Sequence, residues 1–132
     1  MTHATRRVAA LLIVLACAAA GCSRGGSGDP TVKAMQARAN NWAKYGVTHT
    51  VATGVKKIEK GTWKCTAAVD KSAKTATTHC TGTSDTGQHI EFSSSSTFDQ
   101  LKQKRQRALP GTITIKVDGV TKAQPSCVGQ NC

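Results

Sequence analysis

Residues 63–80 read WKCTAAVDKSAKTATTHC. Side chains alternate between faces along a strand, so a period of two marks a half-buried strand. Trp63, Cys65, Ala67 and Val69 share one face of a first run. Ala76, Thr78 and Cys80 share one face of a second. If the chain turns near Ser72-Ala73, inside the polar stretch Asp70 to Lys74, Cys65 and Cys80 fall opposite each other. A one-residue slip would send one cysteine to the wrong face, so a disulfide here would fix the register of a hairpin.

The pattern extends in both directions. Gly82 to Gly87 reads as a further turn, then Ile90 and Phe92 point inward on another strand with His89 and Glu91 outward. Thr97 and Gln100 match a helix capping box, with Phe98, Leu101, Ala108 and Leu109 as the apolar side and Pro110-Gly111 as the stop. Ile113, Ile115 and Val117 define a last strand before Asp118-Gly119, and the tail over 120–132 reads as loop. On the N-terminal side, Val47, His49, Val51 and Thr53 alternate as a strand with His49 inward. Before it, Asp29-Pro30 reads as an N-cap and first helical residue. Val32, Met35, Ala39, Trp42 and Ala43 form the stripe of a helix over 30–45, with Lys33, Gln36, Arg38 and Lys44 off it and Gly46 ending it. The expected order is α-β-β-β-β-α-β, an α+β domain with an antiparallel meander sheet. A cystatin-like roll, one helix cradled by a sheet, is one version of it.

The chain has 132 residues, room for one domain, which excludes a multidomain enzyme, a large barrel and a long repeat array. Hydrophobic residues make up 39% and aromatics 4%, so the core is thin. Trp42 and Trp63 belong to its apolar faces rather than to a sugar-stacking surface.

The first 22 residues read MTHATRRVAALLIVLACAAAGC. Arg6 and Arg7 precede the uncharged run Val8 to Ala20, short of the about 20 residues that span a bilayer and fit for a signal-peptide core. Ala19-Ala20-Gly21-Cys22 resembles a bacterial lipobox. That resemblance implies a signal peptide over 1–21, acylation of Cys22 and cleavage before it. Val14-Leu15-Ala16-Cys17 is a second candidate, but bulky Leu15 stands where a small residue is preferred. Residues 22–28 then form a lipidated cysteine and Gly/Ser tether, and 29–132 an extracytoplasmic domain. The Ala-, Thr- and Gly-rich style resembles small lipoproteins of high-GC Gram-positive bacteria, which implies the anchor and no activity.

Of the six cysteines, cleavage removes Cys17 and acylation occupies Cys22. Four remain, in a compartment where disulfides persist. The pairing read here is Cys65–Cys80 and Cys127–Cys132, with the crossed connectivities open. Cys65 and Cys80 lack the close ligand spacing of a zinc site, and adjacent His79 points to the other face, so no metal or other cofactor is expected.

Processing takes Lys+Arg from 18 to 16 by removing Arg6 and Arg7, and the formal net charge from +11 to +9. Lys102, Lys104, Arg105 and Arg107 form the densest cluster; Lys56, Lys57, Lys60 and Lys64 form another. An anchored, exported domain does not normally meet nucleic acid. Its available anionic partners are lipid head groups, wall polymers or an acidic envelope protein.

His49, His79 and His89 are candidate bases, and Asp70, Asp85, Glu91 and Asp99 candidate acids. None stands in a hydrolase, zinc-protease or phosphate-loop motif. The leading expectation is a non-enzymatic binding module with a basic surface. The alternative is a small envelope hydrolase, or an inhibitor of one, with a cleft near His89, Glu91 and Asp85.

Overall fold

The structure, a computed structural model, describes residues 29–132. Arg6, Arg7, the apolar run, the lipobox with Cys22, and the tether lie outside the described residues. Helix α1 (Pro30–His49) leads into a 3-10 turn (Val51–Thr53), then β1 (Lys64–Asp70), β2 (Thr75–Thr83) and β3 (His89–Thr97). Short helix α2 (Phe98–Lys104), β4 (Ala108–Pro110), β5 (Thr112–Val117), β6 (Val120–Ala123) and β7 (Cys127–Gly129) follow. Five strands form an antiparallel sheet ordered β1-β2-β3-β5-β6, and β4 pairs with β7 in a separate two-stranded ribbon. This is a small α+β domain with α1 laid across one sheet face.

The hairpin falls where the alternation puts it. Cys65 pairs with Cys80 across β1 and β2, and both Cys65–Cys80 and Cys127–Cys132 are disulfides. The inner face carries the core in registered rows: Cys80, Phe92 and Ile115 in one, Ile90 and Val117 in the next. Phe92, Ile90, Ile115, Ala39, Ala43 and Val47 are fully buried. Fully burying a side chain of the Val-to-Phe class contributes about 1.5–3 kcal/mol. Small residues on α1 let the helix approach closely. A Cβ on Gly46 would come within 2.6 Å of Val128 Cγ1, so only glycine fits there. Gly82 on β2 is covered by the Trp63 indole in the same way, 2.7 Å from the position of a Cβ.

Several sequence expectations are corrected. Gly46 does not end α1; the helix runs to His49, and Thr50 caps it by donating its N–H to Gly46 O. Val47 is four residues after Ala43 and extends the helical stripe, so the expected strand over 47–53 is helix end and 3-10 turn. His49 is therefore exposed, stacked on Tyr45 with ring centres 3.9 Å apart. The second helix begins as expected, with the Thr97 and Gln100 capping box formed on both sides. It stops at Lys104, and Ala108 and Leu109 lie buried in β4 rather than on a helix. The tail is partly strand: β6 extends the main sheet and β7 pairs with β4.

Candidate functional site: a clamped basic loop

The densest basic cluster sits where α2 ends. Lys102 and Lys104 occupy its last turn, Arg105 is its cap in the left-handed conformation (φ 47°), and Gln106 follows at φ 70°. Two successive non-glycine residues in that region store strain of order 1–3 kcal/mol each. Such a bend persists only when its surroundings hold it.

Three sets of contacts do so. From α1, Arg38 donates Nε–H to Ala108 O (2.8 Å) and Nη2–H to Leu101 O (3.0 Å). One turn further along, Trp42 donates Nε1–H to Gln106 O (2.8 Å). From the C-terminal segment, Gln130 and Asn131 donate their backbone N–H groups to Arg107 O at 3.0 and 3.2 Å. Lys104 Nζ donates to Asn131 O (2.9 Å). The Cys127–Cys132 disulfide closes that segment covalently. Within the bend, Arg105 N–H bonds Lys102 O and Arg107 N–H bonds Lys104 O.

The four cations grouped by sequence therefore divide. Lys102, Arg105 and Arg107 are exposed, and Lys104 is half-buried and tied to the tail. The three exposed side chains make no ion pair among the described residues, where Lys71–Asp29 is the one recorded, at 3.7 Å. Side chains held on a rigid backbone lose less entropy on binding than those on a mobile one. Arg guanidinium forks match the oxygens of phosphate and carboxylate.

Sequence reasoning missed Arg38, which it placed off the apolar stripe. Its residue is 7% exposed, and burial pushes the guanidinium down from its ordinary value. Its spacing was the available signal: three after Met35 and four before Trp42, at the edge of the stripe. The long aliphatic stem of arginine follows apolar surface to reach two carbonyls.

The second basic cluster is built differently. Lys56, Lys57, Lys60 and Lys64 are all exposed. Lys57 O accepts the backbone N–H of Asp85, Glu59 stands between the lysines in sequence, and none of the four makes an ion pair among the described residues.

His89, Glu91 and Asp85 do not converge. His89 pairs with Thr83 and Glu91 with Thr81 and Lys116 in the strand registers, while Asp85 lies in the turn after β2. No hydrogen bond or ion pair joins the three side chains among the described residues. His79 is exposed on the outer sheet face between Thr66 and Ser93. Among the described residues no three His, Cys, Asp or Glu side chains group closely enough to hold a metal ion. No helix among them is long and apolar enough to cross a membrane.

The chain matches no protein-family model, no curated protein and no solved structure.

Proposed function

We propose that this is a lipid-anchored lipoprotein of the cell envelope, a non-enzymatic binding module that presents the Lys102–Arg107 loop to anionic groups. The carrying observation is the loop itself. Strained left-handed backbone at Arg105 and Gln106 is held by Arg38, Trp42 and a disulfide-closed tail, with Lys102, Arg105 and Arg107 free outside. Strained backbone held by its surroundings clusters at functional sites. Anionic lipid head groups are the first target. Seven residues from Cys22 to Gly28 reach at most about 25 Å when extended, so the anchor holds the domain close to them. Wall polymers and acidic envelope proteins offer the same chemistry at greater distance.

The test of the anchor is the intact mass of the membrane-extracted protein, with and without reduction and thiol alkylation. The proposal expects a chain beginning at acylated Cys22, with four thiols alkylated only after reduction. An uncleaved, unacylated chain would overturn it.

A further inference from the structure

The two edges of the main sheet differ. Edge strand β6 has four residues and meets β5 through a register irregularity at Ile115/Lys116. Short length and irregular pairing are usual guards against strand addition. Edge strand β1 has seven residues, no proline and an unbroken register with β2.

The direction of its free hydrogen-bonding groups follows from the disulfide position. Cys65 and Cys80 have Cα atoms 4.0 Å apart, the close spacing of a non-hydrogen-bonded antiparallel pair. The N–H and C=O of Cys65, Ala67 and Val69 therefore point away from β2. No other element among the described residues bonds to them.

We propose that β1 pairs with β1 of a second copy, antiparallel about a two-fold axis at Ala67, joining two five-stranded sheets into one. The strand is self-complementary in that register. Ala67 meets Ala67, Cys65 meets Val69 of the second copy, and Lys64 meets Asp70 of the second copy at both ends. Lys64 and Asp70 lie on the same exposed face, and neither has an ion partner among the described residues. Asp70 uses Oδ1 to accept the N–H groups of Ser72 and Ala73, which leaves Oδ2 for the lysine. Three pairs in the bonding orientation supply about six backbone hydrogen bonds.

The inner side of the edge fits the same arrangement. Cys65, Ala67 and Val69 are only half-buried there. Gln36, Ala37, Asn40, Trp63, Lys64 and Cys65 line an open groove of about 340 Å³ between α1 and β1. Val69 of the second copy, opposite Cys65 and on the inner face, enters that groove. The contact is isologous, so it closes as a dimer and does not propagate.

The experiment is sedimentation velocity on the full chain in mild detergent across a concentration series. The wild type is expected to be a dimer. Lys64→Asp and Asp70→Lys each put like charges at both ends and raise the dimer dissociation constant at least about tenfold. The double variant restores the pairs with reversed sign and returns to within about threefold of wild type. Ala67→Pro removes an outward N–H, tolerable on an edge strand, and leaves a folded monomer. If Ala67→Pro lowers the melting temperature sharply, the charge swap still decides. A monomeric wild type, a double variant no tighter than the singles, or a folded Ala67→Pro dimer would overturn the proposal.

Discussion

Replacing Arg38 by Met tests the clamp beneath the basic loop. Arg38 is buried and donates to Leu101 O and Ala108 O, with no carboxylate against it. Methionine keeps the length and apolar stem and removes the fork. Losing two bonds from a charged donor costs about 1.5–3 kcal/mol each, less at the part-buried Leu101 O. Relief of the cation's own desolvation offsets part of this, so the expected net loss is about 2 kcal/mol. For a domain of this size that lowers the melting temperature by roughly 10 °C. Arg38→Lys is the sharper comparison. It keeps the buried charge but not the planar fork that reaches both carbonyls, so it is at least as destabilising as Met. Urea unfolding of both variants under oxidising conditions, with backbone order parameters over residues 105–107, gives the readout. A change under about 0.5 kcal/mol for Met, or Lys behaving as wild type, would refute the reasoning.

Other outcomes follow from the same geometry. Gly82→Ala places a Cβ 2.7 Å from Trp63 Cε3 and is expected to cost about 1–3 kcal/mol, with changed tryptophan fluorescence; unaltered stability would contradict the indole cover. Thr78 Oγ1 and Ser94 Oγ are buried, directly opposite each other and without partners, so Thr78→Val with Ser94→Ala should leave stability unchanged or raise the melting temperature. A clear fall would show that the hydroxyls are satisfied. Removing the Cys65–Cys80 disulfide, with 15 residues of separation, is expected to cost about 3 kcal/mol, more than removing Cys127–Cys132 across five; equal losses would contradict the loop-length argument. The Asp29 carboxyl is held below the ordinary carboxylate range by the backbone N–H of Thr31, helped by nearby Lys71. Its contribution is therefore present above the unfolded-state value and lost as pH falls through the lower folded-state value. An NMR titration that puts Asp29 at or above an ordinary aspartate would contradict the cap.

The legible parts of this fold were those fixed by local alternation. The β1–β2 register could be read because two cysteines and two apolar faces agree on one pairing, and a slip would break both. The capping box at Thr97 was legible because both of its side chains stand at fixed spacing. Val47 misled because one residue satisfies both a period of two with His49 and a period of four with Ala43. The end of α2 was hidden because Arg105 and Gln106 are ordinary helix formers, driven into left-handed backbone by contacts from α1 and the tail. β4 and β7 were hidden because each needs a partner about twenty residues away. The cluster Lys102, Lys104, Arg105 and Arg107 was legible as charge. Its division into three free cations and one structural one was not, because the partner of Lys104 is a backbone oxygen in the tail.

The most direct measurement compares two charge reversals of equal size in the unacylated domain, residues 29–132, on vesicles of phosphatidylglycerol and phosphatidylcholine, across a salt series. One carries Lys102→Glu, Arg105→Glu and Arg107→Glu; the other carries Lys56→Glu, Lys57→Glu and Lys60→Glu. Exposed charges are screened beyond roughly 10 Å at about 0.1 M salt, so binding by either patch weakens as salt rises. The account predicts that the loop variant loses vesicle binding while the other keeps most of it at moderate salt. Equal losses would mean that net charge alone attracts the surface, and retention by the loop variant would contradict the role of the clamped loop.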